Sequence, residues 1–220
     1  MESYALILIS TISYILGSIP FSYFVARFYK KNLFEVGSRN IGTANVYRAT
    51  GRAEAAILAL VGDMGKGMLA IFLASKLSFL GYELIIGQTL AAFFAVLGHN
   101  WPVFLKFKGG KGLATLAGII LFLKWQAIIL ILLTLGSFIL LVEFVMGGGI
   151  SLDGSKKEKI KKLFSIFISQ VAGRMIGIFA AILLVYIFYP TLLKIIFPAL
   201  IISIAKHIKR TENFLKGKRV

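Results

Sequence analysis

Cysteine is absent from the 220 residues. That excludes a disulfide framework, a thiolate nucleophile and any cysteine-ligated metal. Histidine occurs only at His99 and His207, with no metal-ligand spacing, so no metal is expected. Acidic residues number 9 against 25 Lys and Arg. Charged residues of both signs together make up 15% of the chain, too few to clothe a water-soluble domain of this length. No Gly-Lys pair is followed by Ser or Thr at the spacing a P-loop requires, so nucleotide binding is unsupported. No internal repeat marks an inverted-symmetry transporter.

What is present is apolar, 58% hydrophobic with a mean hydropathy of +0.87. Stretches such as Ile119–Leu123 and Ala127–Val142 run nearly unbroken, as bilayer spans do. Backbone groups in hydrocarbon must be satisfied within the segment, and these runs lack the alternation of a membrane barrel. The expected fold is therefore an all-α polytopic membrane protein. Seven transmembrane helices are expected, at about residues 3–26, 53–75, 82–100, 112–124, 125–142, 166–189 and 190–206, as a single domain over 1–220. The fourth and fifth meet at Lys124-Trp125, in a tight turn or as one long bent helix. Glu2 precedes the first run and no Lys or Arg occurs before Arg27, so a cleaved leader is not expected.

Six basic residues fall in 27–52, three in 101–111, five in 156–162 and six in 206–220. These alternate loops hold twenty of the 25, which predicts that they lie inside, with the N-terminus outside and the C-terminus cytoplasmic. The net charge of +16 sits beside apolar spans, so anionic lipid or an anionic substrate is the expected partner rather than nucleic acid. The stretch 147–162, GGGISLDGSKKEKIKK, reads as a basic cytoplasmic loop.

Two inner loops have the composition of anion sites. GSRNIGTANVYRATG, from Gly37 to Gly51, crowds Ser38, Asn40, Gly42, Thr43, Asn45 and Arg48 together. Glycines let backbone N–H groups approach an oxyanion, short hydroxyl and amide side chains donate further bonds, and Arg48 can fork onto a phosphate. GHNWPVFLKFKGGKGLAT, from Gly98 to Thr115, places FKGGKG just before a new helix, whose N-terminus favours anions. The plainer readings are a tight inter-helix loop and lysines that anchor an interface. Asp63 and Lys66 lie three apart on one helix and are expected to form a structural ion pair. Arg174 needs Glu143, a phosphate or the interface.

With GSIPFSY (Gly17–Tyr23), these two loops resemble the bacterial acyl-phosphate:glycerol-3-phosphate acyltransferase family, the PlsY type, over nearly the whole chain. The resemblance implies seven helices in a bacterial inner membrane and a site facing the cytoplasm. The implied reaction moves a fatty acyl group from acyl phosphate to the 1-hydroxyl of glycerol 3-phosphate, giving lysophosphatidic acid. It implies phosphate binding by Ser38, Asn40, Gly42, Thr43 and Asn45, and by Lys108, Gly109, Gly110 and Gly112. Lys111, Arg48 and His207 are the implied catalytic residues, in a monomer that needs no cofactor. Arg39 stands where the family usually has Gly, and Arg210 where it usually has Asn. Ser169 in ISQVAGR is the nearest equivalent of a third-motif Ser, after an inserted basic stretch. A transporter or binding protein for small phosphorylated anions, or a paralogue with another acceptor, is the alternative.

Overall fold

A computed structural model describes residues 2–146, 155 and 171–215. Every regular element among the described residues is helical. The first apolar run is broken where Pro20 lacks an N–H and constrains Ile19. It folds as α1, Glu2–Ser18, and α2, Phe21–Phe28. A short helix, α3 (Thr43–Thr50), lies inside the first loop and is closed by Gly51 at φ +68°. α4 is Ala53–Lys76, carried on by a 3-10 turn at Leu77–Leu80. α5 is Leu84–Asn100, followed after Pro102 by a 3-10 turn at Val103–Leu105. α6 (Leu113–Leu123), α7 (Trp125–Met146), α8 (Val171–Phe188) and α9 (Pro190–Leu215) complete the order.

Among the described residues, four stretches are long and apolar enough to cross a membrane: Glu2–Phe28, Ala53–Leu80, Leu84–Leu105 and Trp125–Val145. Leu113–Leu123 and Ile176–Phe188 are apolar but shorter. At 1.5 Å per residue α6 extends roughly 16 Å, about half a bilayer core. Helix stops at Leu123 and resumes at Trp125, so the expected fourth and fifth segments are two helices rather than one.

The chain divides into two compact units. One comprises Met1–Leu123 with Lys194–Val220, the other Lys124–Leu193. In the first, α1 packs along α5 and α4 along α6 over small residues. A Cβ at Gly17 would strike the Ala95 carbonyl, and one at Gly98 the Tyr14 carbonyl. Gly67 and Gly118 bring α4 and α6 together against Thr115 and Met64 in the same way. Small residues suit helices in lipid, where close van der Waals packing replaces the hydrophobic effect as the driving force. In the second unit α7 packs on α8, with Gly177 against Leu135.

Candidate active site

One buried side chain organises the first loop. Asn45, 1% exposed, accepts the Ser38 N–H through Oδ1 at 2.9 Å. It donates to the Leu33 carbonyl at 3.2 Å and to the Val36 carbonyl at 3.1 Å. Both amide hydrogens are thereby engaged by the loop, and an Asp could not replace them because two carbonyls require donors. Gly37 sits at φ +60°, where a Cβ would strike Asn45 Oδ1 and come within 3.5 Å of Arg48 Cβ. The turn thus gathers Ser38, Asn45 and Arg48. Ser38 and Arg48 are exposed, while Asn40, Gly42 and Thr43 are half-buried. Thr43 Oγ1 is buried with no hydrogen-bond partner among the described residues. Arg39 lies at φ +53°, a backbone region that favours glycine. Leu33, Ile41 and Val46 pin the loop onto Ala26 of α2 and Ala55 and Ala59 of α4. Burial of such large aliphatic side chains is worth about 1.5–3 kcal/mol each.

The second loop is built on the carboxyl end of α5, whose last carbonyls have no partner within the helix. The His99 carbonyl accepts the Gly110 N–H at 3.0 Å. The Asn100 carbonyl accepts Lys206 Nζ at 3.0 Å, and the Trp101 carbonyl accepts the Tyr14 hydroxyl at 2.8 Å. Lys206 also stands 4.4 Å over the Trp101 ring, a cation–π contact that sets a positive charge at the helix's negative end. Asn100 Nδ2 donates to the Ile202 carbonyl at 3.4 Å, and Ser203 Oγ donates to the Lys111 carbonyl at 2.6 Å. The residues before α6 are therefore held between α5 and α9.

Glycine is required along this loop by close approach. A Cβ on Gly109 would meet the His99 carbonyl. On Gly110 it would meet both His99 Nε2 and the Ile41 carbonyl. On Gly112, at φ +81°, it would lie 2.6 Å from Val96 Cγ1 and 2.9 Å from Asn100 Oδ1. Gly110 thus touches Ile41 of the first loop, and the two anion-type loops meet there. Lys111 is half-buried and Lys108 exposed.

Directly beneath lies a charged cluster in the apolar interior. Lys66 Nζ is 3.1 Å from Asp63 Oδ1, as the i, i+3 spacing predicts, with both side chains 2% exposed or less. Lys66 also donates to the Ile19 carbonyl at 2.9 Å, an acceptor at the Pro20 break that also takes the Phe21 N–H at 3.2 Å. Ser22 Oγ donates to Asp63 Oδ2 at 2.6 Å, and His99 Nδ1 lies 3.6 Å from Asp63 Oδ1.

Of the residues singled out in the sequence, the structure gathers Ser38, Asn45 and Arg48 into one turn and sets Gly110 against that loop. His207 falls one helical turn after Ser203 on α9, but its side chain, like those of Arg174 and Arg210, lies outside the described residues. Ser169 and the 147–162 loop, apart from the exposed Ser155, also lie outside them. Sequence reading missed Ser22, Asn100, Ser203 and Lys206. Ser203 and Lys206 lie in an apolar helix with no local motif to raise them, and Ser22 and Asn100, though inside GSIPFSY and GHNWPVFLKFKGGKGLAT, carry no charge or spacing that sets them apart there. Among the described residues no group of His, Asp and Glu could hold a metal ion.

Known proteins of the same kind can now be set beside this geometry. A family model described as glycerol-3-phosphate acyltransferase matches residues 7–217. A glycerol-3-phosphate acyltransferase of Carboxydothermus hydrogenoformans is 36% identical over 182 residues, 82% of this chain and 88% of that one. One from Wolbachia pipientis subsp. Culex pipiens is 33% identical over 218 residues, covering 99% and 97%. The crystal structure of PlsY (YgiH), an integral membrane glycerol 3-phosphate acyltransferase in its glycerol 3-phosphate form, superposes with a TM-score of 0.67. It is 25% identical over 97% of this chain and 93% of that one. Fold and relatives together define an integral membrane acyltransferase. The chain belongs to the glycerol-3-phosphate acyltransferase family, of the PlsY type.

Proposed function

We propose that the protein transfers a fatty acyl group from acyl phosphate to the 1-hydroxyl of glycerol 3-phosphate, giving lysophosphatidic acid and inorganic phosphate. The observation that carries this reading is the meeting of two glycine-rich basic loops at Gly110 and Ile41. Two phosphorylated substrates need two anion sites within reach of one another, and adjoining loops supply them. The PlsY neighbour's glycerol 3-phosphate form supports the acceptor.

An acyl phosphate is already an activated anhydride, so no side-chain nucleophile is required. The acceptor hydroxyl oxygen attacks the acyl carbon, the bond from that carbon to the phosphate oxygen breaks, and phosphate departs. The hydroxyl proton passes to a phosphate oxygen or a nearby His. The protein's contribution is positioning and neutralisation of charge. Arg48, Ser38, Asn40, Gly42 and Thr43 serve one phosphate, with Asn45 bracing their loop from below. Lys111, Lys108 and the backbone at Gly109, Gly110 and Gly112 serve the second loop's anion. His207 helps to hold the acceptor. The distribution of basic loops supports a site on the cytoplasmic side of a bacterial inner membrane, with seven spans and the N-terminus outside.

The test is phosphate release by purified, detergent-solubilised protein given palmitoyl phosphate, with and without glycerol 3-phosphate, beside Arg48→Ala. Acceptor-dependent release that Arg48→Ala loses is the expected result. Folded protein that releases no phosphate in response to acceptor would overturn the reading.

A further inference from the structure

An ion pair in the interior of a membrane protein is expensive, and removing either partner leaves an uncompensated charge. Anchoring α2 to α4 accounts for Ser22 and for Lys66 on the Ile19 carbonyl. It does not account for His99, which is 6% exposed and comes from a third helix. The Nδ1 edge of its ring faces Asp63 at 3.6 Å. Its Nε2 edge lies against Gly110, whose other side abuts the Ile41 carbonyl. Its own carbonyl accepts the Gly110 N–H. The ring therefore fills the gap between the buried carboxylate and the point where the two loops meet. A cavity of about 10 Å³ lies beside it, bordered by Ser18, Asp63, Lys66, His99 and Gly109.

We propose that Asp63, Lys66 and His99 form a positioning unit for the acyltransferase reaction. Lys66 fixes the carboxylate, the carboxylate orients the imidazole, and the Nε2 edge holds Gly110 against Ile41, so that the two phosphate loops keep one spacing. His99 is a positioning residue here, since it acts through Gly110 rather than on substrate. The inference rests on the two-loop site proposed above.

The discriminating variants are His99→Asn and His99→Gln. The Asn amide reaches the Nδ1 position and leaves the Nε2 position empty, whereas the Gln amide extends to the Nε2 position. Both are compared with wild type in kcat and in KM for palmitoyl phosphate and glycerol 3-phosphate, per folded molecule. The expected result is a fall in kcat/KM of at least 30-fold in His99→Asn with a raised KM for one or both substrates. His99→Gln should recover to within about 5-fold of wild type, at a similar thermal midpoint. Equal activity in both variants, or losses that merely track the folded fraction, would overturn the proposal. If wild type itself shows no acceptor-dependent release, the donor reading falls and loop spacing is tested by calorimetric binding of inorganic phosphate. Weaker binding by tenfold or more in His99→Asn then supports the positioning unit, and equal affinity refutes it.

Discussion

Gly110→Ala is the smallest change that addresses the contact between the loops. The added methyl would press on His99 Nε2 from one side and on the Ile41 carbonyl from the other. Neither neighbour yields easily. The imidazole is buried beside Asp63, and the carbonyl belongs to backbone whose side chain is packed in the core beneath the first loop. Overpacking of this kind costs about 1–3 kcal/mol. Relaxation requires Gly110 to move away from His99 or from Ile41, so the cost falls on the spacing of the two loops. At about 1.4 kcal/mol per tenfold, kcat/KM should fall roughly 5- to 150-fold. Gly65→Ala is the matched control, because a Cβ there meets nothing within 4 Å. It should leave kcat/KM within about twofold, since a helical Gly→Ala change in open space affects helix stability by ~1 kcal/mol at most. Release of phosphate from palmitoyl phosphate with glycerol 3-phosphate, normalised to folded protein, reads both variants. Wild-type kinetics and thermal midpoint in Gly110→Ala would refute the reasoning.

Lys111→Ala should nearly abolish transfer in purified folded protein, and retained turnover would remove Lys111 from the mechanism. Asn45→Asp turns two donor positions toward the Leu33 and Val36 carbonyls into acceptors. It should lower stability by about 2–3 kcal/mol and abolish acceptor-dependent release, measured by thermal unfolding alongside activity. Ser203→Ala loses the 2.6 Å bond to the Lys111 carbonyl, worth about 1 kcal/mol, so the unfolding midpoint should fall slightly and kcat/KM should drop roughly fivefold. Arg39→Gly relieves a left-handed backbone cost of about 1–2 kcal/mol and gives back about 0.4–1 kcal/mol of chain entropy. The midpoint of unfolding should therefore rise slightly, and a clear fall would show that the arginine side chain holds the loop.

Hydropathy made the long helices legible, because lipid imposes uninterrupted apolar runs. It concealed the α1–α2 break, since Gly17-Ser18-Ile19-Pro20 keeps the run apolar while one imino acid ends the helix. Composition marked both loops as candidate anion sites, but type alone could not separate exposed Arg48 from buried Asn45, whose amide is turned inward onto the chain. The Asp63–Lys66 pair followed from local spacing. Its partners Ser22 and His99 come from other helices, which no single-helix periodicity can reveal. Arg39 stands where the family resemblance implies glycine, and its φ of +53° is a backbone region that favours glycine.

The end of α5 has a consequence for the order in which the molecule is made. Its three terminal carbonyls are claimed by α1, by the second loop and by α9. A chain emerging from the ribosome meets the first two partners early but the third only after α9 has been synthesised. Until Lys206 and Ser203 arrive, the loop before α6 is held by the Gly110–His99 bond but lacks its two bonds to α9. The second loop therefore takes its final form only when the last helix of the chain is in place.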